Sequence, residues 1–430
     1  MMRFALVNPA WNFEGSIYFG CREPHLPLEF GYAKALLEAE GHEALIIDGQ
    51  LSALTQAEIV ARVTRFQPDF TVVTTAPSYL FWRCAPPELR VPQLLSHDLR
   101  SGGCGKLVVV GPHASTTPRA TLRKTGADVV ILGECEDILP RLAGPWREAP
   151  SVAYFEADHY VVRGPNNASD MKRLPALRWP DEYVARHTHH HHRFEAAPLG
   201  PGAEMEVSRG CPYHCTFCAK DNFRNNYRKR PLPVILEEVD GLLRQGVEYI
   251  YFIDEIFLPD VQLLDALAGK NLKLGVQTRI DLWSEDALRA LARAGCVSIE
   301  AGVESITEEG RAFLDKKCKM STAQLTERLI FAKKLVPFVQ ANLLAMTEDD
   351  AAAVEIWRQT LEAHGVWANK PVPLFPYPGS PEYTRRWGTP DDFAWERAHE
   401  AYLNGFQFFS DIQEQRPHPL IELELTSHGH

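Results

Sequence analysis

The run GAEMEVSRGCPYHCTFC, residues 202–218, carries a β-type stretch straight into three cysteines, Cys211, Cys215 and Cys218. A structural zinc site usually takes four protein ligands in two separated pairs. Here Cys215 and Cys218 have no second pair nearby: the next cysteine in sequence is Cys296, and His214 lies between the cysteines themselves. An iron–sulfur cluster also normally takes four thiolates, so three on one tight loop leave an iron open for another ligand. An open iron is a catalytic feature. The strand-to-loop setting matters too, because backbone amides there can hydrogen-bond the cluster sulfurs and tune its potential.

Outward from this loop the chain alternates β and α patterns in both directions. Downstream, strands are expected near 204–208, 248–253 (EYIYFI), 272–277 (LKLGVQ), 297–303 (VSIEAGV), 338–344 and 372–376. Helical spacing lies between them, as in PVILEEVDGLLRQG and SEDALRALARAG, the latter with serine at its N-cap and glycine at its end. Six βα units fit a partial TIM-type barrel over 204–385, with its chemistry at the strand carboxyl ends. Upstream, RFALVN (3–8), EALIID (43–48), DFTVVTT (69–75), KLVVVG (106–111) and DVVILG (128–133) alternate with helical stretches over 1–145. That order predicts an α/β domain, a parallel sheet wrapped by helices. Ligands of such sheets sit beyond the strand carboxyl ends, which places Asn8-Pro9, Thr74-Thr75-Ala76, Gly111-Pro112-His113 and Gly133-Glu134 around one crevice. Each of these alone reads as turn chemistry, and their convergence reads as a site. A connector without steady periodicity, 146–203, joins the two domains, and 386–430 reads as a helical C-terminal extension whose aromatics are spaced as a packed helix face.

The whole composition narrows the setting. With 430 residues, 45% of them hydrophobic, the chain can bury a large core in two or three domains. The start MMRFALVNPA shows no signal-peptide pattern, and no run approaches the roughly 18 apolar residues of a membrane span, so a cytoplasmic protein with reduced thiols is expected. A formal charge of −11 argues against nonspecific nucleic-acid binding. The connector holds a histidine run, His187 and His189 to His192, read either as a solvated linker or as groups facing the interdomain cavity.

The segment CPYHCTFC resembles the CxxxCxxC motif of the radical S-adenosylmethionine (SAM) enzymes, with Phe217 at that family's usual aromatic position. The resemblance implies a 4Fe-4S cluster on Cys211, Cys215 and Cys218, whose open iron is chelated by SAM. YFIDEIF resembles the acidic second-strand end, which implies that Asp254 and Glu255 hold the SAM amino group. VQTRIDLWSEDALRALARAGC resembles the third-strand segment, implying that Gln277 and Arg279 face the cofactor. AGVESITEEGRAFLDKK resembles the fourth-strand motif, implying Glu304 and Lys317 as contacts, with Glu300 competing for the inward place because residues four apart on a strand share a face. FPYPGSPEY, 375–383, resembles the end of that barrel.

The N-terminal segments LPLEFGYAKALLEAEGHEALIID, VVGPHAS and LGECEDILPRL are similar to the Rossmann-like, doubly wound cobalamin-binding domains of cobalamin-dependent radical SAM enzymes. The strand-end residues Asn8, Pro9, Thr74, Thr75, Gly111, Pro112, His113, Gly133 and Glu134 are then the implied cobalamin contacts. Two departures stand out: the chain has no Asp-x-His-x-x-Gly sequence, and Gly111-Pro112 replaces a double glycine. Proline cannot donate a backbone N–H to the nucleotide tail. The resemblance implies methylation of an unactivated carbon of a small-molecule substrate, with electrons from a low-potential donor such as a flavodoxin or ferredoxin. Another radical reaction, or a non-enzymatic iron–sulfur sensor, is the alternative.

Overall fold

The computed structural model describes residues 1–18, 23–78, 85–187, 200–224, 226–406 and 416–424. The N-terminal strands are β1 (Arg3–Asn8), β2 (Glu43–Asp48), β3 (Phe70–Thr74), β4 (Lys106–Val110), β5 (Val129–Ile131), β6 (Val152–Glu156) and β7 (His159–Arg163). They form one sheet in the order β2-β1-β3-β4-β5-β6-β7, parallel through β5 and antiparallel from β5 to β7. Alternation splits the core: Phe4 and Leu6 pack to one face, Ala5 and Val7 to the other, and each face carries its own apolar cluster. Both faces are therefore covered, as a doubly wound sheet requires. The helix Gln56–Phe66 illustrates local specification, opening on a Thr55/Glu58 capping box and closing at Gln67 in the left-handed region.

The sheet runs past residue 145, because the hairpin β6–β7 extends it into the expected connector. The barrel strands follow: β8 (Gly202–Met205), then the short pair β9 (Ser208–Arg209) and β10 (Arg228–Lys229), then β11 (Tyr249–Phe252), β12 (Lys273–Thr278), β13 (Cys296–Glu304), β14 (Phe338–Leu343) and β15 (Trp367–Ala368). Six of them form an all-parallel sheet, β15-β14-β13-β12-β11-β8, the partial (β/α)6 arrangement. The sixth strand is Trp367–Ala368 rather than the expected 372–376, where only Val372 bridges to Leu344. Pro371, Pro373 and Pro376 interrupt the latter run, and proline removes the N–H that a ladder needs.

The C-terminal segment returns to the N-terminal domain. Helix Ala394–Asn404 stacks Trp395 on His113 with ring centroids 4.1 Å apart, and Lys124 binds both Glu396 (2.7 Å) and Glu424 (2.6 Å). Among the described residues no helix is long and apolar enough to cross a membrane.

Candidate active site

The cysteine loop begins where β9 meets the hairpin with β10. Gly210 there has φ +78°, and a Cβ would lie 2.2 Å from the carbonyl oxygen of Asn226, so only glycine fits. The loop is then tied down by its backbone: Cys218 N–H donates to Cys215 O (3.1 Å) and Thr216 N–H to Leu314 O (3.0 Å). All three cysteines and Phe217 are half-buried. Burial pushes the Cys211 thiol up to about 11, the Cys218 thiol to about 12, and raises that of Cys215.

Asp254 and Glu255 sit beside this loop, and their oxygens hold its backbone. Asp254 accepts from Val207 N–H (3.0 Å) and from the Ser208 hydroxyl; Glu255 accepts from Gly210 N–H (2.9 Å). Burial pushes the Asp254 carboxyl up to about 8. Arg279 lies over the ring of Tyr213, within the cysteine loop, at 4.2 Å, and donates to Asp281 at 3.1 and 2.7 Å. Its Nη1 and the Gln277 Oε1 are buried with no hydrogen-bond partner.

Register explains what faces the barrel interior. Gln277 pairs with Glu300, and Glu300 with Gln340; these three are half-buried, while their neighbours Val276, Ile299 and Val339 are fully buried on the helix side. Glu300 lies on this inner face, whereas a register shift between Gly302 and Glu304 sets Glu304 opposite Leu343. Glu304, at φ +63°, pairs with Lys316, whose Nζ also donates to Gly302 O (3.3 Å). Lys317 is a correction: its side chain is 70% exposed and pairs with Asp315, so Lys316 is the inward lysine. Gln340 and Asn342, hydrogen-bonded together, complete a polar row that the alternation in FVQANL could have disclosed.

At the N-terminal crevice the polar groups answer one another. Asn8 donates to Asp48 (2.8 Å) and accepts from Trp11 (2.8 Å), with Pro9 next to it buried. Thr74 donates to Ala76 O (2.8 Å), and Thr75 accepts from His113 N–H (3.4 Å). Gly111, at φ 110°, lets Pro112 open a short helix, and Gly133 N–H donates to Ser115 Oγ (2.8 Å). Burial lowers the His113 imidazole to about 3, leaving it neutral, and its Nδ1 has no partner.

Glu134 crosses to the barrel instead of lining the crevice. It pairs with Arg209 (3.0 Å) and with Arg228, and Arg209, fully buried, also meets Glu136 (2.7 Å) and Glu206 (2.8 Å). Arg224 joins Glu206 (2.6 Å) to Glu255 (3.4 Å). The residue immediately before Gly210 and Cys211 is thus bound to the carboxyl end of β5, which brings the two strand-end crevices to one seam. Sequence reading missed Arg209, whose partner Glu134 lies 75 residues away. Of the histidine run, His187 is buried, its Nε2 2.8 Å from Glu204; His189 to His192 lie outside the described residues.

Comparison with known proteins agrees with both halves. Residues 205–356 match the Radical SAM superfamily and residues 21–143 match the B12 binding domain. The hopanoid C-3 methylase of Methylococcus capsulatus is 26% identical over 84% of this chain and 68% of its own length. The anaerobic magnesium-protoporphyrin IX monomethyl ester cyclase of Cereibacter sphaeroides is 23% identical over 84% of this chain and 58% of its own length. The structure of the radical SAM methyltransferase TsrM from Kitasatospora setae, with tryptophan and a SAM analogue, superposes with a TM-score of 0.74 at 17% identity, covering 90% of this chain and 76% of that one. The chain thus spans 58 to 68% of the length of these two curated relatives.

Proposed function

Starting from the premise that this chain belongs to the cobalamin-dependent radical SAM enzymes, we propose that it methylates an unactivated carbon of a small-molecule substrate bound between its two domains. The observation that carries this reading is the seam itself: Arg209, next to the cysteine loop, is locked onto Glu134 and Glu136 of the B12-binding domain. A substrate held there lies between the two strand-end crevices. Relatives named for carbon methylation and for ring formation each align over 84% of this chain, and the methylase has the higher identity.

The residues present fit the groups that this chemistry needs. Three free, half-buried thiols on one loop suit a cluster with one iron left open; the open Arg279 Nη1 and Gln277 Oε1 suit the carboxylate and amine of SAM. The unpartnered His113 Nδ1, beside Thr75 and the glycine-only turn at Gly111, suits a polar corrin or its tail. When bound, the cluster with SAM supplies hydrogen-atom abstraction and cobalamin supplies the methyl group.

The protein's own residues supply the rest. Cys211, Cys215 and Cys218 would hold the cluster as thiolates, so iron must displace the protons that burial favours. Asp254 and Glu255 would fix the loop through its amides, and Arg279, oriented by Asp281, would take the SAM carboxylate. Glu300, Gln340 and Asn342 would orient polar substrate groups, while the buried ion-pair seam around Arg209 excludes water. Electrons would come from a low-potential donor such as a flavodoxin or ferredoxin.

The test is anaerobic reconstitution with iron, sulfide and hydroxocobalamin, followed by incubation of candidate substrates with methyl-labelled SAM. Methyl transfer requires S-adenosylhomocysteine and 5'-deoxyadenosine together with label in the product. 5'-Deoxyadenosine with an unlabelled, rearranged or cyclised product would overturn the methylation reading.

A further inference from the structure

A second group of ligating side chains lies apart from the cysteine loop and takes no part in the chemistry above. We propose that His25, His187 and Glu204 form a metal site for a single divalent transition ion of the zinc type, tying the N-terminal domain, the connector and the barrel together.

The geometry is that of a common focus. His25 Nδ1 is 2.6 Å and His187 Nε2 2.8 Å from the Glu204 carboxylate, and the three donor atoms all lie within 4.8 Å of one another. The two rings are inclined at 72° with centroids 6.0 Å apart, so both point at the carboxylate without stacking. Each donor comes from a different part of the chain: the loop before helix Leu28–Ala39, the end of helix Asp181–Arg186, and β8. Glu204 and the His187 backbone are held from behind. Leu26 N–H donates to the second Glu204 oxygen (3.2 Å), and the His187 backbone donates to Tyr183 O (3.1 Å) while accepting from Gly202 N–H (3.1 Å).

Charge argues for a cation. His25, His187 and Glu204 are at most 4% exposed. Neutral imidazoles leave the Glu204 charge buried without compensation, a costly state. A divalent ion balances that charge and uses the imidazoles as neutral ligands. Bonds of about 2.0 to 2.2 Å to nitrogen and oxygen require the hydrogen-bonded donors to separate by roughly 0.5 Å, a small side-chain adjustment. Two imidazoles and a carboxylate are a set that zinc accepts, with the fourth position left for water.

The test uses the full chain with Cys211, Cys215 and Cys218 changed to alanine and His189 to His192 changed to serine, so that neither the cluster nor the histidine run binds metal. This protein is loaded with zinc, freed of excess by gel filtration, and assayed by elemental analysis and thermal melting. Cobalt(II) replaces zinc for visible absorption. The expected result is one zinc retained per chain, a melting temperature that rises with zinc concentration, and cobalt bands of a low-coordinate site. Glu204→Gln, which keeps the shape and an acceptor, should lose all three. His25→Gln serves if that variant does not fold, circular dichroism deciding. A parent protein that holds no zinc, or holds it equally in Glu204→Gln, overturns the proposal and leaves a proton-bridged clamp.

Discussion

At the carboxyl ends of the N-terminal strands nearly every polar side chain answers a neighbour, whereas the barrel mouth keeps buried groups open. Asn8 is spent on Asp48 and Trp11, Thr74 on Ala76, and Thr75 on His113. In the barrel, Gln277 Oε1 and Arg279 Nη1 have no partner. Buried polar atoms in native proteins are almost always paired, so the open ones mark where a ligand completes the structure. The difference teaches that the first crevice, with His113 Nδ1 as its open polar atom, would bind mainly by shape and the second by specific polar contacts. Between them, the Arg209 network holds the two at a fixed distance.

The strongest way to break the comparison is to remove the thiols. Replacing Cys211, Cys215 and Cys218 together by alanine should abolish bound iron and sulfide and all reductive cleavage of SAM, while cobalamin binding persists. Iron analysis and cobalamin absorption check the two halves separately. A variant that still holds iron and sulfide would show that the barrel mouth is not the cluster site.

Arg209→Met attacks the seam rather than either crevice. It leaves Glu134, Glu136 and Glu206 facing one another with side chains at most 2% exposed. Removing one partner of such a buried set typically costs about 3–5 kcal/mol. Denaturant unfolding should register that loss, and Arg209→Lys should recover little of it, because an ammonium cannot reproduce the guanidinium fork. Stability within 1 kcal/mol of the parent, an order-of-magnitude threshold, would mean that the network is not what joins the domains.

How much of this was legible in the sequence follows from the range of each interaction. Strand positions were legible wherever β-branched runs lie between glycine and proline signals, as in RFALVN and KLVVVG, both observed at nearly the expected bounds. Over 372–376 the prolines outweigh the apolar residues, and only Val372 bridges. The hairpin Val152–Arg163 is signalled only by two short runs flanking a turn at Ala157, φ 51°. Within the site, periodicity reaches the inner face of β13 but does not separate Lys316 from Lys317, which needs the turn geometry after the helix Glu308–Phe313. Motif resemblance assigns Asp254 and Glu255 to the SAM amine; the structure engages their oxygens with Val207, Ser208 and Gly210, a use that no local pattern encodes. Ion pairs such as Glu134 with Arg209 depend on how two domains dock, and a single sequence holds no signal for that.

A milder perturbation probes the closed crevice. His113 is lowered from 6.5 to about 3 because burial disfavours its charged form. The folded protein therefore binds fewer protons there than the unfolded chain, so the stability from this group is complete above pH 6.5 and is lost as pH falls toward 3. By linkage the loss at pH 5 is about 2 kcal/mol. His113→Phe, which keeps a ring against Trp395, should remove that part of the acid sensitivity while forfeiting the 3.3 Å contact with Pro87 O. Urea midpoints at pH 7 and pH 5 measure it, with an unchanged difference between variants counting against a neutral, buried imidazole.

Arg279→Gln sharpens the open crevice most gently. Two of the guanidinium's donors are fixed by Asp281 and its face covers Tyr213, so Nη1 is aimed before any ligand arrives. Orientation of this kind lowers the entropy that binding must spend, and a charge-assisted hydrogen bond to a carboxylate adds about 1.5–3 kcal/mol. Glutamine keeps one donor but loses the charge, the fork and the stacking. SAM affinity of the reconstituted protein should therefore fall about tenfold, equivalent to roughly 1.4 kcal/mol. The cysteine ligands are untouched, so iron and sulfide content should stay at the parent level, which separates a lost SAM contact from a damaged cluster. Cobalamin affinity should also stay constant, because the closed crevice lies on the other side of the seam. Full SAM affinity in Arg279→Gln would mean that the open Nη1 serves the substrate, and equilibrium dialysis with substrate in place of SAM would then carry the deficit.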